Sequence, residues 1–413
     1  MIFRAAMALM DSAAVTRLEE FFAGIGTLLG NDARRASFAT YAMGLLADGE
    51  RKSVEPMSSR SCIDPKSADA AHQRLLHFLA VATWDDAAVR RFAADYAIKT
   101  LTAREKIQSW IVDDTGFLKQ GKHSVGVQRQ YTGSAGKVTN CQVGVSLCVA
   151  SETEHIPIDF ELYLPESWTE DAERRCEARI PDEVVFKTKL DLALDMIRRA
   201  VADGVPPGVV LADCGYGLSS DFRLELRRLG LHYAVGVHAK TTVFEMGKVM
   251  QRGGAAIGLK DLAFKLKAKG HFRRTTWRKG TGDELSARFA LRRVFPCREQ
   301  GRAADEREAV WLLIEWRDGE AEPANYFFSS LPPTTRRKPL IRLVMQRWRT
   351  ERAYEDLKGE LGLDHYEGRR FPGWHHHISV VLCCYAFVVS ERLRHFPPAA
   401  RRPVGHSTHS LAA

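Results

Sequence analysis

The sequence predicts an α/β protein: a mixed sheet flanked by helices, preceded by an all-α segment and interrupted by a β-rich one. Three observations predict it. Residues 12–100 carry apolar side chains at helical spacing with few β-branched runs. Residues 107–237 then read β-β-β-β-α-β-α-β, the alternation of a mixed α/β layer. Residues 240–330 break that rhythm with a strongly basic stretch and two further strand-like runs, at 310–316 and 325–330.

The elements follow in order. Leu18, Phe21, Phe22, Ile25 and Leu29 recur at spacings of three and four, as do Phe38, Tyr41, Ala42 and Leu45, so each set forms a core-facing stripe. A polar loop with Pro56 and Pro65 is expected over 50–67, then an apolar helical stretch at 75–82. Asp85 and Asp86 open the next helix, as acids suit a helix N-terminus. Strands are expected at 107–113, 124–131 and 141–150, the last two joined by a turn that Gly133 and Gly136 mark. Another strand runs over 155–164, ended by Pro165, and Asp182 is placed to cap a helix reaching about residue 202. A strand at 208–213, a helix at 221–229 and a strand at 232–237 complete the layer. A long helix follows Pro339 to about residue 361, and another starts near Trp374. Its apolar stretch, 378–389, is about half a membrane span and reads as a buried helix, so no membrane partner is expected.

The organisation this implies is a helical N-terminal domain over 1–103, an α/β core built from 104–239 and 333–396, a β-rich basic insertion over 240–332, and a disordered tail over 397–413.

Composition narrows the class. Hydrophobic residues at 45% and charged residues at 27% of 413 are the values of a globular protein, which excludes a disordered, collagen-like or disulfide-scaffold chain. The formal net charge of +9 is uneven. Residues 265–302 carry 12 basic and 3 acidic side chains and residues 336–352 carry 7 and 1, whereas residues 1–100 carry 12 of each. A polyanion partner contacting the last third of the chain is expected. The 8 cysteines form no CxxC pair and no zinc spacing, and read as reduced thiols of a cytosolic protein. The short apolar run ended by Asp11 is too brief for a signal peptide.

Three acidic positions stand out. Asp113 and Asp114 end an apolar run, Ser109-Trp110-Ile111-Val112-Asp113-Asp114, and Asp213 ends another, Val209-Val210-Leu211-Ala212-Asp213. Ligand sites of open α/β sheets lie beyond the carboxyl ends of strands, and acids on neighbouring strands there can share a divalent cation. On the helix after Pro339, Arg347, Glu351 and Lys358 are spaced by four and seven, so they fall on one face: a carboxylate between two cations. That suits a substrate that is negative and metal-bound. Taken singly, an acid at a strand end is most often a cap or turn residue, and a charged helix face is usually solvated. Their combination reaches a metal-assisted phosphodiester enzyme.

At these residues the chain resembles bacterial insertion-sequence transposases of the DDE superfamily, and most closely the insertion-sequence seven-zero-one group. The resemblance is carried by Val112-Asp113-Asp114-Thr115-Gly116-Phe117-Leu118-Lys119, Ser124-Val125-Gly126-Val127-Gln128-Arg129-Gln130-Tyr131, Asn140-Cys141-Gln142-Val143-Gly144-Val145, Glu161-Leu162-Tyr163-Leu164-Pro165, Ala212-Asp213-Cys214-Gly215-Tyr216-Gly217, the Glu351 helix, and Tyr366 with Pro372-Gly373-Trp374-His375-His376-His377. It implies an RNase H-like catalytic core and a triad of Asp113, Asp213 and Glu351. Asp114 is the alternative to Asp113, since only one of two adjacent strand residues can face the metal. The Arg347, Glu351, Lys358 spacing also resembles the R-x3-E-x6-K signature of the related family-four transposases, with Val344 where that signature has tyrosine.

The implied chemistry is two Mg²⁺ ions, with Mn²⁺ as a substitute, serving cleavage at transposon ends and strand transfer into target DNA. The implied partners are double-stranded DNA, as terminal inverted repeats and as target, and a second copy of the chain in a homodimer on DNA. No nucleotide cofactor is implied, and the compartment is the bacterial cytoplasm beside the nucleoid. Arg347 and Lys358 would position backbone phosphates. Lys119, Arg129, Arg273, Arg274, Arg278 and Lys279 would line the DNA path, and Trp277 could stack on an unpaired base, with a packing role the plainer reading. His375, His376 and His377 read as polar residues at a helix start, in a supporting role or touching phosphate. Two other readings stay open: a silent DNA-binding derivative, and a Mg²⁺-dependent nuclease without strand transfer.

Overall fold

Five helices come first in the computed structural model, which describes residues 11–62, 67–246, 255–279, 284–297 and 308–395. They are α1 (Ser12–Leu29), α2 (Asp32–Leu46), α3 (Val54–Ser61), α4 (Ala68–Ala80) and α5 (Asp86–Thr102). The apolar stripes point where their spacing sends them: Leu18, Phe21, Ile25, Leu29, Phe38, Tyr41 and Leu45 are all buried. Asp11, Asn31 and Asp85 cap α1, α2 and α5 by accepting backbone N–H bonds. α3 lies inside the stretch expected to be a loop. The tail over 397–413 lies outside the described residues.

The α/β layer follows: β1 (Ser109–Leu118), β2 (Gln128–Thr132), β3 (Lys137–Ala150), β4 (His155–Tyr163), α6 (Glu166–Thr169), α7 (Ala172–Ala178), α8 (Lys189–Ala202), β5 (Val209–Ala212), α9 (Cys214–Gly217), α10 (Ser220–Arg228) and β6 (Tyr233–Val237). β3 is the longest described strand. It pairs antiparallel with β1 on one side, and with β2 and then β4 on the other. β1 pairs parallel with β5, and β5 parallel with β6. The strand order is therefore β4-β3-β1-β5-β6, with a mixed sheet as expected.

Two boundaries differ from expectation for identifiable reasons. β1 does not stop at Asp113; its ladder with β3 continues to Leu118 opposite Cys141. The helix expected from Asp182 begins instead at Lys189. Thr188 caps it, with Asp191 bonding back in a capping box. The guanidinium of Arg175 accounts for the delay: it donates to the carbonyls of Pro181, Asp182 and Val184 and so holds 181–184 as a loop.

The basic segment continues the same sheet. It contains β7 (Thr242–Glu245), β8 (Ile257–Gly258), α11 (Leu259–Ala268), β9 (Arg273–Lys279), β10 (Glu284–Pro296), β11 (Val310–Trp316) and β12 (Asn325–Ser329). β12 pairs antiparallel with β6, and β11 and β10 follow. The described strands thus form one sheet rather than a layer and a separate appendage. α11 was hidden by its lysines, but Leu259, Leu262, Ala263 and Leu266 form its buried stripe.

The expected long helix is broken. α12 (Arg337–Val344) and α13 (Trp348–Gly359) are separated by a 3-10 turn over Met345–Arg347. The last helix, α14 (Phe371–His395), is buried along most of its length and packs against α5, α4, α2 and β4. No described helix is long and apolar enough to cross a membrane. Cys141, Cys148, Cys383 and Cys384 are buried free thiols, and Cys176 is exposed.

The junction of α5 with the sheet is ionic. Arg90 is 5% exposed and lies among Asp86, Asp159 and Glu161. Its Nε is 3.2 Å from Asp159, and Arg199 reaches the same carboxylate at 2.8 Å. Against the cost of burial, the two arginines hold the Asp159 carboxyl below its usual range. Removing one partner of a buried network leaves the others uncompensated. Arg90→Ala is expected to cost about 3–5 kcal/mol, read as a lower urea midpoint. Arg91→Ala, which breaks only a half-exposed pair with Asp203, should cost less than about 1 kcal/mol. Equal shifts in the two variants would contradict this account.

Candidate active site

Alternation along β1 builds the site. Its odd-numbered residues face the 3-10 turn, α13 and α14 in order. The Ser109 hydroxyl donates to Gln346 (3.2 Å), Asp113 accepts from Arg347 (2.7 Å), Thr115 accepts from Lys358 (2.9 Å), and Phe117 meets Trp374 edge-on. Even-numbered residues face the other way: Asp114 pairs with Lys189 of α8 at 3.0 Å. The two adjacent acids therefore lie on opposite faces of the sheet.

Asp113 shares its face with the other two acids. Arg347 bridges two of them, donating to Asp113 and to Glu351 (3.1 Å). Asp213 follows β5, the parallel neighbour of β1. Its Oδ1 accepts from the Gly215 and Tyr216 N–H groups (2.8 and 3.4 Å), capping α9. The Asp113 side chain is 12% exposed and Glu351 57%. Burial pushes the Asp113 carboxyl up to about 7; the Arg347 charge opposes this and the Asp213 charge adds to it. Behind the acids, Tyr354 of α13 bonds Ser146 (2.6 Å), the β3 residue opposite Asp113, and the buried Tyr216 hydroxyl has no hydrogen-bond partner. Neither tyrosine, nor Ser146 and Lys189, was singled out from the sequence. The strand register brings Ser146 opposite Asp113, and the start of α8 brings Lys189 to Asp114 on the other face.

The donor set is all oxygen, with a guanidinium seated between two carboxylates and a third negative charge bearing on one of them. This fits a hard divalent cation and not zinc. Among the described residues no three His, Cys, Asp or Glu side chains already stand close enough to enclose an ion.

The residues expected along a DNA path are dispersed. Lys358 reaches Thr115, Gly116 and Ser134. Lys119 donates to the Tyr366 carbonyl (2.6 Å) and is engaged inside the protein. Arg129 is exposed on β2 and Arg273 on β9. Arg274 is paired with Asp318 (2.8 Å), so its charge is already met. Trp277 is half-buried with its ring edge-on to Phe289, the packing reading, while Arg278 stacks on Trp348 at 3.7 Å. The side chain of Lys279 lies outside the described residues. The three histidines are not at a phosphate-facing helix start. His375 is buried beside Asp86, His376 lies between the Leu79 and Trp84 carbonyls, and His377 between Tyr41 and Leu363. Burial lowers His375 and His377 to about 4. They pin α14 to the N-terminal helices.

Asp113 and Asp213 lie just past the paired stretch of β1 and β5, beside the helix that carries Glu351 and Lys358. Comparison with known families gives the class: the profile of the DDE superfamily endonucleases matches residues 20–283, and the chain belongs to that family. Glu351 lies beyond the matched span. The chain is also similar to a probable transposase for insertion sequence element IS701 of Microchaete diplosiphon, 28% identical over 204 residues, 49% of each chain. The match thus spans about half the length of that relative. A solved structure described as a piggyBac transposase synaptic complex with hairpin DNA is similar over 88% of this chain and 66% of that one, with 11% identity and a TM-score of 0.42.

The ion pair makes a direct prediction. Arg347 is the cation opposing the upward shift of Asp113, so Arg347→Ala should raise that carboxyl above about 7 and leave it mostly protonated at pH 7.5. The Asp113 carbon signal in ¹³C-aspartate-labelled protein would report it, and an unchanged titration would contradict the pairing.

Proposed function

We propose that this chain is a DDE transposase that cleaves DNA at transposon ends and joins the ends to target DNA, with a divalent cation. The observation that carries the reading is the placement of Asp113, Asp213 and Glu351 about Arg347 on one face of the sheet, with Asp114 turned to the other face. The strand order β4-β3-β1-β5-β6, antiparallel on one side of β1 and parallel on the other, supports an RNase H-like core.

Asp113, Asp213 and Glu351 would hold Mg²⁺ or Mn²⁺, two ions in the fullest form. When bound, the metal would make a water or a 3′-hydroxyl nucleophilic at neutral pH and stabilise charge on the phosphate. The chain's own residues do the rest. Asp113 is desolvated and supplies a carboxylate whose negative charge lacks full compensation, a setting that favours a cation. Arg347 donates to both Asp113 and Glu351, and its guanidinium would bind a phosphate in a fork. Lys358, one end of α13 away, would hold a second phosphate as a point charge. Two DNA ends handled by one reaction favour a homodimer on DNA, and the N-terminal helices would then bind ends or the second copy. A cytoplasmic, nucleoid-associated location follows from the same reading.

The test uses a duplex taken from the DNA bracketing the gene. Mg²⁺-dependent nicking should fall by about a thousandfold or more in Asp113→Asn, Asp213→Ala and Glu351→Ala. Asp114→Asn should retain most of it. Mn²⁺ binding followed by calorimetry should be lost in Asp113→Asn and kept in Asp114→Asn. Pre-cut ends should be joined to plasmid DNA; cleavage without joining would instead indicate a nuclease. The reverse ranking of the two adjacent aspartates would overturn the assignment.

A further inference from the structure

We infer that Ser134, in the turn between β2 and β3, is a positioning residue for Lys358: with Thr115 it fixes the lysine ammonium for a DNA phosphate and ties the β2–β3 hairpin to the candidate active site. The inference rests on the transposase reading for the identity of the anion, and on the following geometry for the rest.

Lys358 is half-buried, and its Nζ donates to three neutral oxygens: Thr115 Oγ1 at 2.9 Å, the Gly116 carbonyl at 2.8 Å and Ser134 Oγ at 3.4 Å. Among the described residues it makes no ion pair. A positive charge taken partly out of water and given only neutral partners is incompletely compensated, and an arriving anion completes it.

Ser134 is exposed, yet its hydroxyl is folded back onto β1. There it accepts from the Gly116 N–H (3.3 Å), exchanges a hydrogen bond with the Thr115 hydroxyl (3.2 Å) and reaches Lys358. Three contacts from one exposed turn serine set it apart from an ordinary solvated turn residue.

Gly116 shows why the turn can come this close. A Cβ at 116 would stand 2.1 Å from Thr132 Oγ1 and 2.7 Å from Thr132 Cβ, distances no side chain tolerates. The absent side chain is the space into which the buried Thr132 settles, and Thr132 carries the turn down onto β1. The turn itself closes through Gly136, at φ +63°, with the Gly136 N–H on the Thr132 carbonyl. On its outer side the hairpin exposes Arg129 and Tyr131, a surface a polyanion can engage. Thr115, Gly116, Thr132, Ser134 and Lys358 therefore form one mechanical unit, and DNA pressed on the hairpin would act on the ammonium through Ser134.

Salt dependence of binding reads out a phosphate contact directly, because each one contributes about 0.9 to the slope of log K against log salt. Full-length protein would be titrated with the duplex from the DNA bracketing its gene. Lys358→Gln should lower the slope by about 0.9. Ser134→Ala should lower it by a similar amount, Ser134→Thr should restore it, and the Ser134→Ala/Lys358→Gln double variant should fall no further. Gly116→Ala should behave like Ser134→Ala. Melting of Ser134→Ala should match the unaltered protein, since the residue is exposed. A slope lost in Lys358→Gln but kept in Ser134→Ala overturns this inference alone. A slope unchanged in Lys358→Gln overturns it together with the phosphate role of Lys358. Absence of salt-dependent duplex binding by the unaltered protein would sink the transposase reading itself.

Discussion

The two-residue period of β1 is the constraint on which the site depends. β1 is hydrogen-bonded to β3 on one side and β5 on the other, so its register cannot slip without moving both neighbours. Each face it presents is then fixed. Ile111, Asp113, Thr115 and Phe117 go to the face covered by α12, α13 and α14; Val112 and Asp114 go to the other, where α8 lies. Burial on that face desolvates Asp113, and a desolvated carboxylate demands a cation. Arg347 meets the demand because the 3-10 turn over Met345–Arg347 interrupts the helix just where β1 presents the acid. Had α12 and α13 been one straight helix, the spacing that aligns Arg347, Glu351 and Lys358 would still hold, but their approach to β1 would differ.

The helix that brings these cations is held from several directions. Tyr354 bonds Ser146 in the sheet, Arg349 donates to the Glu152 and Thr153 carbonyls, and Gln346 bonds Gln108 and Ser109. The buried Lys52, from the N-terminal helices, donates to both the Leu45 and Glu360 carbonyls and so anchors the far end of α13. Gly362, at φ +64°, leaves room for Lys52, since a Cβ there would lie 2.8 Å from it. The N-terminal helices thus act on the candidate site by fixing α13, whatever else they bind. Within this rigid frame Glu351 is the exposed member of the acid set. It is the side chain free to change partner, whereas Asp113 is fixed by its strand.

How much of this the sequence discloses depends on whether the signal is local. The apolar periods of α1 and α2, the apolar run of α14, the acids that open α5, and the strand character of β3 and β5 are local and were legible. The 3-10 break after Val344 was not, because apolar spacing is continuous across it. The delayed start of α8 was hidden for a different reason: it is set by Arg175, which satisfies backbone carbonyls of the following loop. Asp113, Asp213 and Glu351 were singled out by motif, but the sorting of Asp113 from Asp114 required the partners, Arg347 and Lys189, that lie 234 and 75 residues away. Ser134 carried no signal at all. A serine in a Gly-flanked turn is ordinary until the strand beneath it is known.

Net charge shows the same limit. The basic window that suggested a polyanion partner is partly neutralised where it folds: Arg274 and Arg288 share Asp318, Lys265 pairs with Glu245, and Lys267 lies over the Trp316 ring. Charge counted along the chain therefore overstates what that segment can offer a phosphate. What matters is which cations keep no carboxylate partner. Among the described residues of the site these include Lys358, held by neutral oxygens, and Arg278, stacked on Trp348 one residue beyond Arg347. Both flank the Glu351 helix. On the transposase reading, phosphate contacts would concentrate at the two ends of α13, on either side of an acidic set that would repel DNA unless those cations, and a metal, stood beside it.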